Sequence, residues 1–290
     1  MLDERTTICD LRPGGGDHHR AKGVANVGKH AIETAFSMRF TEAEDCFRWL
    51  YDFGAEPLTP ARASAPDAAG QIFSDALRAS LSFQFDHGKQ GNWHSWTVSN
   101  LARPPVWKVY LNPSFGALRR FELIIGPHLI SPHVAAFKTV SQRWMALRPD
   151  KLMIYFVSAQ ARVDWLAKVR TVLRGFPANA VPFTQNFDAN GMATLATDPE
   201  DLPGQSWRSN LLRNIAGKIV STDVTSPEQL YDLLICEGID PDNWEVSYGC
   251  QRRSKIRPKG GAKIGHFGVG RDERTGCWRP VDRALQIAGG

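Results

Sequence analysis

Three short segments in the middle of the chain constrain its fold more than any other feature. They are Val106–Leu111 (VWKVYL), His133–Val140 (HVAAFKTV) and Lys151–Val157 (KLMIYFV). Each has the length of a strand, is rich in β-branched and aromatic residues, and ends at turn-forming residues. The last is the most apolar. In the first, Val106, Lys108 and Tyr110 share one face of the strand, and Trp107, Val109 and Leu111 the other. Between and after the strands the apolar period changes to that of a helix. Asn112-Pro113-Ser114 ends the first strand and can cap a helix carrying Phe115, Leu118, Phe121, Leu123 and Ile124. Further helices are expected over Asp164–Leu173, Ser206–Val220 and Pro227–Glu237, the last with Pro in its first turn. Val181–Thr184 begins another extended segment. The expected fold is α+β, a single domain with a central, twisted, mainly antiparallel sheet flanked by helices.

The N-terminal third reads as helical. Thr41 looks like a cap with acid in the first turn, and Phe47, Leu50 and Tyr51 give an apolar face that stops at Phe53-Gly54. A Pro/Ala-rich linker over 55–70 leads to a second helix over Gln71–Phe85. The expected layout is a flexible arm over 1–36, an α+β domain over 37–249 whose residues 37–100 form a helical layer, and a flexible basic tail over 250–290.

Charge is divided unevenly. The net charge is +5, yet the tail carries ten basic and three acidic residues, so the body is close to neutral. The run Arg252-Arg253-Ser254-Lys255-Ile256-Arg257-Pro258-Lys259 suits an acidic partner, whether nucleic acid, a leader peptide or an anionic membrane, or is a solvated end. Hydrophobic residues at 42% suffice for a sizeable core. No apolar run approaches the about 18 residues that suggest a membrane span, and the charged start is unlike a secretory signal. Five widely spaced cysteines without a CxxC pair argue against a disulfide framework or a zinc site, so a cytoplasmic setting is expected. His18-His19 lacks further ligands at zinc-like spacing. No metal and no cofactor is implied. GxSxG, HExxH and HRD motifs are absent, and the Gly-rich run GAKIGHFGVG has neither the strand before it nor the helix after it that a phosphate loop needs.

Two groups of residues carry chemistry. Lys138 sits between Phe137 and Val140 in an apolar strand, where an unpaired lysine is unusual. Either the strand is at an edge with its amine in water, or the amine is functional, with a lowered pKa that makes it a base. The second group is cationic: Arg143 and Arg148 follow that strand, and Arg208 and Arg213 open a helix. A helix start combines backbone N–H groups, dipole and guanidinium forks into a phosphate site. The alternative is ordinary surface arginine.

The ordered segments VWKVYLNP (106–113), VAAFKTV (134–140), PDKLMIYF (149–156), VPFT (181–184), Asp198-Pro199 and SWRSNLLRNIA (206–216) resemble the HopA-type family of type III effectors. Relatives of that family include the lyase component of class V lanthipeptide synthetases. The resemblance covers roughly residues 70–235, and the family looks distantly similar to phosphothreonine lyases. It implies β-elimination of phosphate from phosphoserine or phosphothreonine in a peptide or protein, leaving a dehydroamino acid without a metal. A separate Ser/Thr kinase would supply the substrate, in peptide biosynthesis or after secretion into a host cell. The resemblance makes Lys138 the base, places Lys108 and Tyr110 beside the phosphate, and gives Arg148, Arg208, Arg213 and Tyr155 as phosphate contacts. Tyr110 stands where those lyases look to have a His acid, so Lys108 is the other candidate acid, with His94 and His128 as further replacements. Arg208 stands where the lanthipeptide lyases tend to have Gly. These departures leave a second function open, a non-catalytic effector or phosphopeptide-binding module on the same fold.

Overall fold

The computed structural model describes residues 26–56, 81–140, 143–176, 180–188, 191–199, 206–246, 268–271 and 278–281. The chain divides into two compact units, Met1–Gln251 and Arg252–Gly290.

The first unit is α+β, as expected, and is organised by one antiparallel sheet. In chain order its strands are β1 (Phe85–Gln90), β2 (Trp93–Val98), β3 (Trp107–Leu111), β4 (Ala136–Val140), β5 (Leu152–Phe156), β6 (Gln185–Asn186) and β7 (Ala193–Thr197). Their spatial order is β1-β2-β4-β5-β3-β7-β6. β5 is central and buried along its whole length, which accounts for its unbroken apolar sequence. The three strands expected from the sequence are β3, β4 and β5, adjacent in the order β4-β5-β3. β1 and β2 are strands within what the sequence presents as a helical layer. They form a hairpin whose two-residue turn begins at Gly91, at φ 57°. A positive φ at the first turn position is what a type II′ hairpin requires, and Gly adopts it without strain. The helix expected over 71–85 falls largely outside the described residues, and Phe85 begins β1.

Among the described residues six α-helices surround the sheet: α1 (Val27–Met38), α2 (Ala43–Asp52), α3 (Leu118–Leu129), α4 (Ala159–Leu173), α5 (Trp207–Val220) and α6 (Pro227–Cys236). α3 and α4 cover one face. There Val109, Leu111, Phe137, Ile154 and Phe156 from the strands meet Phe121, Ile125, Trp165 and Val169 from the helices in the main core. Trp165 fixes the helix pair further by donating its indole N–H to His128 O at 2.8 Å. Leu123, expected on the apolar face of α3, is instead 73% exposed, because Leu118, Phe121, Ile125 and Leu129 define the buried stripe.

The remaining helices form a second core around Ile32, Leu50, Phe183, Leu212, Ile215 and Leu230. Of the flexible arm expected over 1–36, residues 1–25 lie outside the described residues, and from Val27 on the chain is the helix α1. It begins at Asn26, whose side chain caps Lys29 N, and buries Ala31, Ile32 and Ala35. Its approach to Trp244 is close: a Cβ on Gly28 would lie 2.6 Å from the indole, so only Gly fits there. Thr41 is not the cap of α2, since the helix starts one residue after Glu42.

No helix among the described residues is long and apolar enough to cross a membrane. In the second unit, Gly268–Arg271 and Trp278–Val281 pair antiparallel. The basic run at 252–259 and His18-His19 lie outside the described residues.

Candidate functional site

The site grows from the sheet face opposite α3 and α4. Strand alternation sends Lys108 and Tyr110 of β3, Lys138 of β4, and Met153 and Tyr155 of β5 to that face. The register then places them in two rows. Ser95, Lys138, Met153, Tyr110 and Thr194 align across the strands in one row. Ala136, Tyr155, Lys108 and Ala196 align in the next. Lys108 and Lys138 are therefore diagonal neighbours with Tyr155 between them. Their Nζ atoms lie 4.9 and 5.7 Å from the centre of its ring.

The two lysines have different surroundings. Lys108 is 2% exposed, and its Nζ contacts Asp198 Oδ2 at 2.6 Å. Asp198 also accepts from Trp207 N at 2.8 Å, so the carboxylate joins the strand lysine to the start of α5. Lys138 is half-buried and makes no ion pair or hydrogen bond among the described residues. Burial first, and then the neighbouring Lys108 charge, lowers its pKa from the ordinary value, against a smaller opposing pull from Asp198. That is the direction a general base near neutral pH needs.

The tyrosines change in the opposite sense. Tyr110 is 1% exposed and hydrogen-bonded with Ser206, and burial pushes its phenol above the ordinary range. Burial pushes Tyr155 up to about 12, although the Lys108 charge and its hydrogen bond work against the rise. Both stay protonated at neutral pH.

Two of the arginines, Arg148 and Arg208, gather where α2 and α5 close over the sheet. Arg148 forks onto Asp150 at 3.0 and 3.2 Å. Arg208 NH1 reaches the same carboxylate at 3.3 Å. The Tyr51 ring lies 4.7 Å from the Arg148 guanidinium and 4.5 Å from that of Arg208. Arg148 keeps an open side, lies 5.9 Å from the Trp93 ring, and comes within 3.8 Å of the exposed Asp52. Arg208 is 1% exposed, and its other nitrogens donate to Pro182 O and Tyr51 O. A direct phosphate contact by Arg208, as the resemblance implies, therefore conflicts with its burial. It tethers α5 to α2 and to the β4–β5 connection. Arg213 is not brought to this cluster. It pairs with Glu44 at 3.0 Å on the α2–α5 surface, is 58% exposed, and stacks on Phe47.

The structure thus brings together Lys108, Tyr110, Lys138, Arg148, Tyr155 and Arg208. Four cations stand against the carboxylates Asp150 and Asp198, with Asp52 at the rim. Counting Asp52, and with Lys138 protonated, the formal excess is one positive charge, which suits an anionic phosphate group. His94 is on β2 but faces His87, with ring nitrogens 2.9 Å apart, on the other side of the strand from Ser95. His128 lies on α3, behind the sheet. Neither replaces an acid at this site. The sequence alone does not mark Asp150 or Trp93 as site residues, and it gives Tyr51 only as part of an apolar helix face. A carboxylate two residues after Arg148 was the one available signal for Asp150. A cavity of about 120 Å³ at the start of α1, lined by Asn26, Thr184, Asp242 and Trp244 among others, contains none of these groups.

No protein-family model matches the chain, and no curated protein matches it. Among solved structures it is similar to an effector protein from Pseudomonas syringae pv. syringae strain 61, with a TM-score of 0.50 and 11% identity over 77% of this chain and 98% of that one. An effector protein from Pseudomonas syringae pv. tomato strain DC3000 gives 0.44 and 12% over 75% and 98%. The type III effector and phosphothreonine lyase OspF from Shigella flexneri gives 0.36 and 10% over 66% and 96%. The first likeness establishes a shared fold, and the other two are too remote to add to it.

Proposed function

We propose that the body is a phosphoserine/phosphothreonine lyase-like protein that β-eliminates phosphate from a phosphorylated peptide or protein. The observation that carries this reading is Lys138: a half-buried amine with a lowered pKa and no ion pair among the described residues, beside Lys108 and on the face that Arg148 borders.

In the reaction, the neutral Lys138 amine takes the Cα proton. The released electron pair forms the Cα=Cβ double bond, the Cβ–O bond breaks, and phosphate leaves with that bond's electrons. Lys108 donates a proton to the leaving oxygen and is recharged from solvent, while Lys138 returns its proton to solvent. Arg148 and the lysines balance the growing negative charge in a partly dry site, where such contacts are worth more than in water. Tyr110 supports Lys108 from within the sheet, because a buried phenol with a raised pKa is a poor proton donor. Tyr155 holds both lysines at its ring, and Arg208 acts by positioning α5 rather than by touching phosphate.

A separate Ser/Thr kinase would supply the substrate. The resemblance to effectors and lanthipeptide lyases gives two settings, secretion into a host cell or cytoplasmic peptide biosynthesis. The basic tail would recruit an acidic partner. Incubating the full chain with a phosphothreonine peptide should release phosphate and leave a dehydroamino acid, read by mass spectrometry. Release of the unmodified hydroxyl residue, or full retention of phosphate, overturns elimination.

One observation favours the rival reading of a phosphopeptide-binding module without turnover: Lys108, the proposed acid, is already in contact with Asp198 at 2.6 Å. Tight binding of the phosphopeptide without any elimination would decide for that reading.

A further inference from the structure

Two half-buried tryptophans wall the face that holds Lys138. Trp93 opens β2 and Trp207 opens α5, and both pack on the floor built from Ala136, Met153, Tyr155 and Ala196. Each stands beside a different charged group. The Trp93 ring lies 5.9 Å from the Arg148 guanidinium. Trp207 donates its backbone N–H to Asp198, the partner of Lys108.

In sheet order, β2, which carries Trp93, and Asp198, which follows β7 and anchors Trp207, lie on opposite sides of β4, the strand of Lys138. From β2, which carries Trp93, the sheet runs through β4 and β5 to β3, where Lys108 meets the Asp198 that binds Trp207. Three strand spacings, about 14 Å, separate the backbones of β2 and β3. An extended peptide advances about 3.3 Å per residue, so about four residues span that distance. A phosphorylated residue held over Lys138 would then present side chains about two positions away on each side to Trp93 and Trp207. A free phosphoamino acid is too short to reach both. Indole faces bind apolar and aromatic side chains well, since they bury a large area at small entropic cost.

We infer that the occupant of this face is an extended phosphopeptide segment with apolar or aromatic side chains about two residues before and after the phosphorylated residue, and that Trp93 and Trp207 are specificity-determining residues. This rests on the reading of the Lys138 face as a phosphate site. The excess of cations there supplies the charge complementarity that selects a phosphorylated segment over an unmodified one.

The test uses the full chain carrying Lys138→Ala, which halts turnover, and fluorescence anisotropy with two labelled phosphothreonine peptides. One has Leu or Phe two residues on either side of the phosphothreonine, and the other has Gly at those positions. The apolar-flanked peptide is expected to bind about tenfold more tightly or better, the scale of a small interface hot spot. Adding Trp93→Ala and Trp207→Ala together should bring the two affinities to within about threefold of each other. The milder pair Trp93→Phe and Trp207→Phe should keep a preference, and thermal melts show whether either pair remains folded.

Equal affinities in the Lys138→Ala protein overturn the inference, as does a full preference in a folded double-alanine variant. If wild type eliminates phosphate from both peptides with equal efficiency, the inference falls and the lyase reading stands. If the preference is present but wild type eliminates nothing, the lyase reading falls and the inference stands. If neither peptide binds, the phosphate site and the inference fall together.

Discussion

Lys108 and Lys138, on the two strands that flank β5, meet over one aromatic ring, with the Tyr155 centroid 4.9 Å from the first amine and 5.7 Å from the second. Two ammonium groups so close disfavour each other's charge. Asp198 relieves Lys108 by direct contact, and Lys138 has no such partner among the described residues. The arrangement therefore gives two chemically identical side chains different surroundings, one in contact with a carboxylate and one whose pKa is lowered.

Lys138→Met should abolish elimination while the fold persists. It should also stabilise the protein. The folded-state pKa of Lys138 lies below its unfolded value. Between those two values the unfolded chain binds more protons, so in that window the lysine's contribution to stability rises with pH. At any pH below the unfolded value that contribution is unfavourable, so at neutral pH the lysine weakens the fold. Replacing it with an uncharged stem of similar length should raise stability by about 0.5–2 kcal/mol, the usual gain on relieving a functional position. Thermal melts of both proteins at pH 7 measure this, and a lower melting temperature for the variant contradicts the assignment.

Removing the neighbouring charge should move the pH profile. With Lys108→Met, the cation that depresses the Lys138 pKa is gone, and the opposing pull of Asp198 remains. The rising limb of the residual rate should shift to higher pH. The rate itself should fall by about 10²–10⁴, the contribution of a positioned acid. An unshifted limb would show that Lys138 is not the titrating base.

Tyr110→Phe should be mild by comparison. The phenol is 1% exposed, and its pKa is raised, so it contributes a hydrogen bond with Ser206 rather than a proton to the reaction. Turnover should stay within about tenfold of wild type, at a stability cost of about 1 kcal/mol. A loss as large as that from Lys108→Met would make Tyr110 the acid.

Asp150→Asn should be far more damaging than any change at Arg213. Asp150 is 1% exposed and serves two guanidinium groups, so its loss leaves Arg208 buried without its counter-charge. Breaking a buried pair in this way costs about 3–5 kcal/mol. Arg213→Ala removes an exposed contact with Glu44 and should cost less than about 1 kcal/mol. Urea unfolding of the two variants gives the comparison directly.

The strands that bear the site were legible because their pattern is local. Lys108 and Tyr110 alternate with Trp107, Val109 and Leu111, and that alternation alone assigns the faces. Lys138 was conspicuous for the same reason, as a charge in an apolar strand. The β1–β2 hairpin was less visible, because the edge strand FDHGKQ is polar and its neighbour WHSWTV mixes Trp with polar residues; the Gly91-Asn92 turn between them was the usable signal. What sequence spacing could not give was the pairing of charges between distant elements. A helical wheel puts Arg208 on the stripe of Leu211, Leu212 and Ile215 and Arg213 on another face, so their burial and exposure have a local signature. Their partners do not: that Arg208 meets Asp150 and the Tyr51 carbonyl depends on how α2 docks against α5.

The register of β4 has one last consequence. Lys138 faces Met153 and Ser95, while Phe137, one residue earlier, stacks on Trp96 in the opposite core. A slip of one residue would drive the ammonium into that core and push the phenyl ring out among the cations. No intermediate register keeps part of the chemistry. Deleting or inserting one residue in this strand should therefore act as an all-or-none switch, losing fold and site together. The apolar ring beside Lys138 thus fixes the position of the charge.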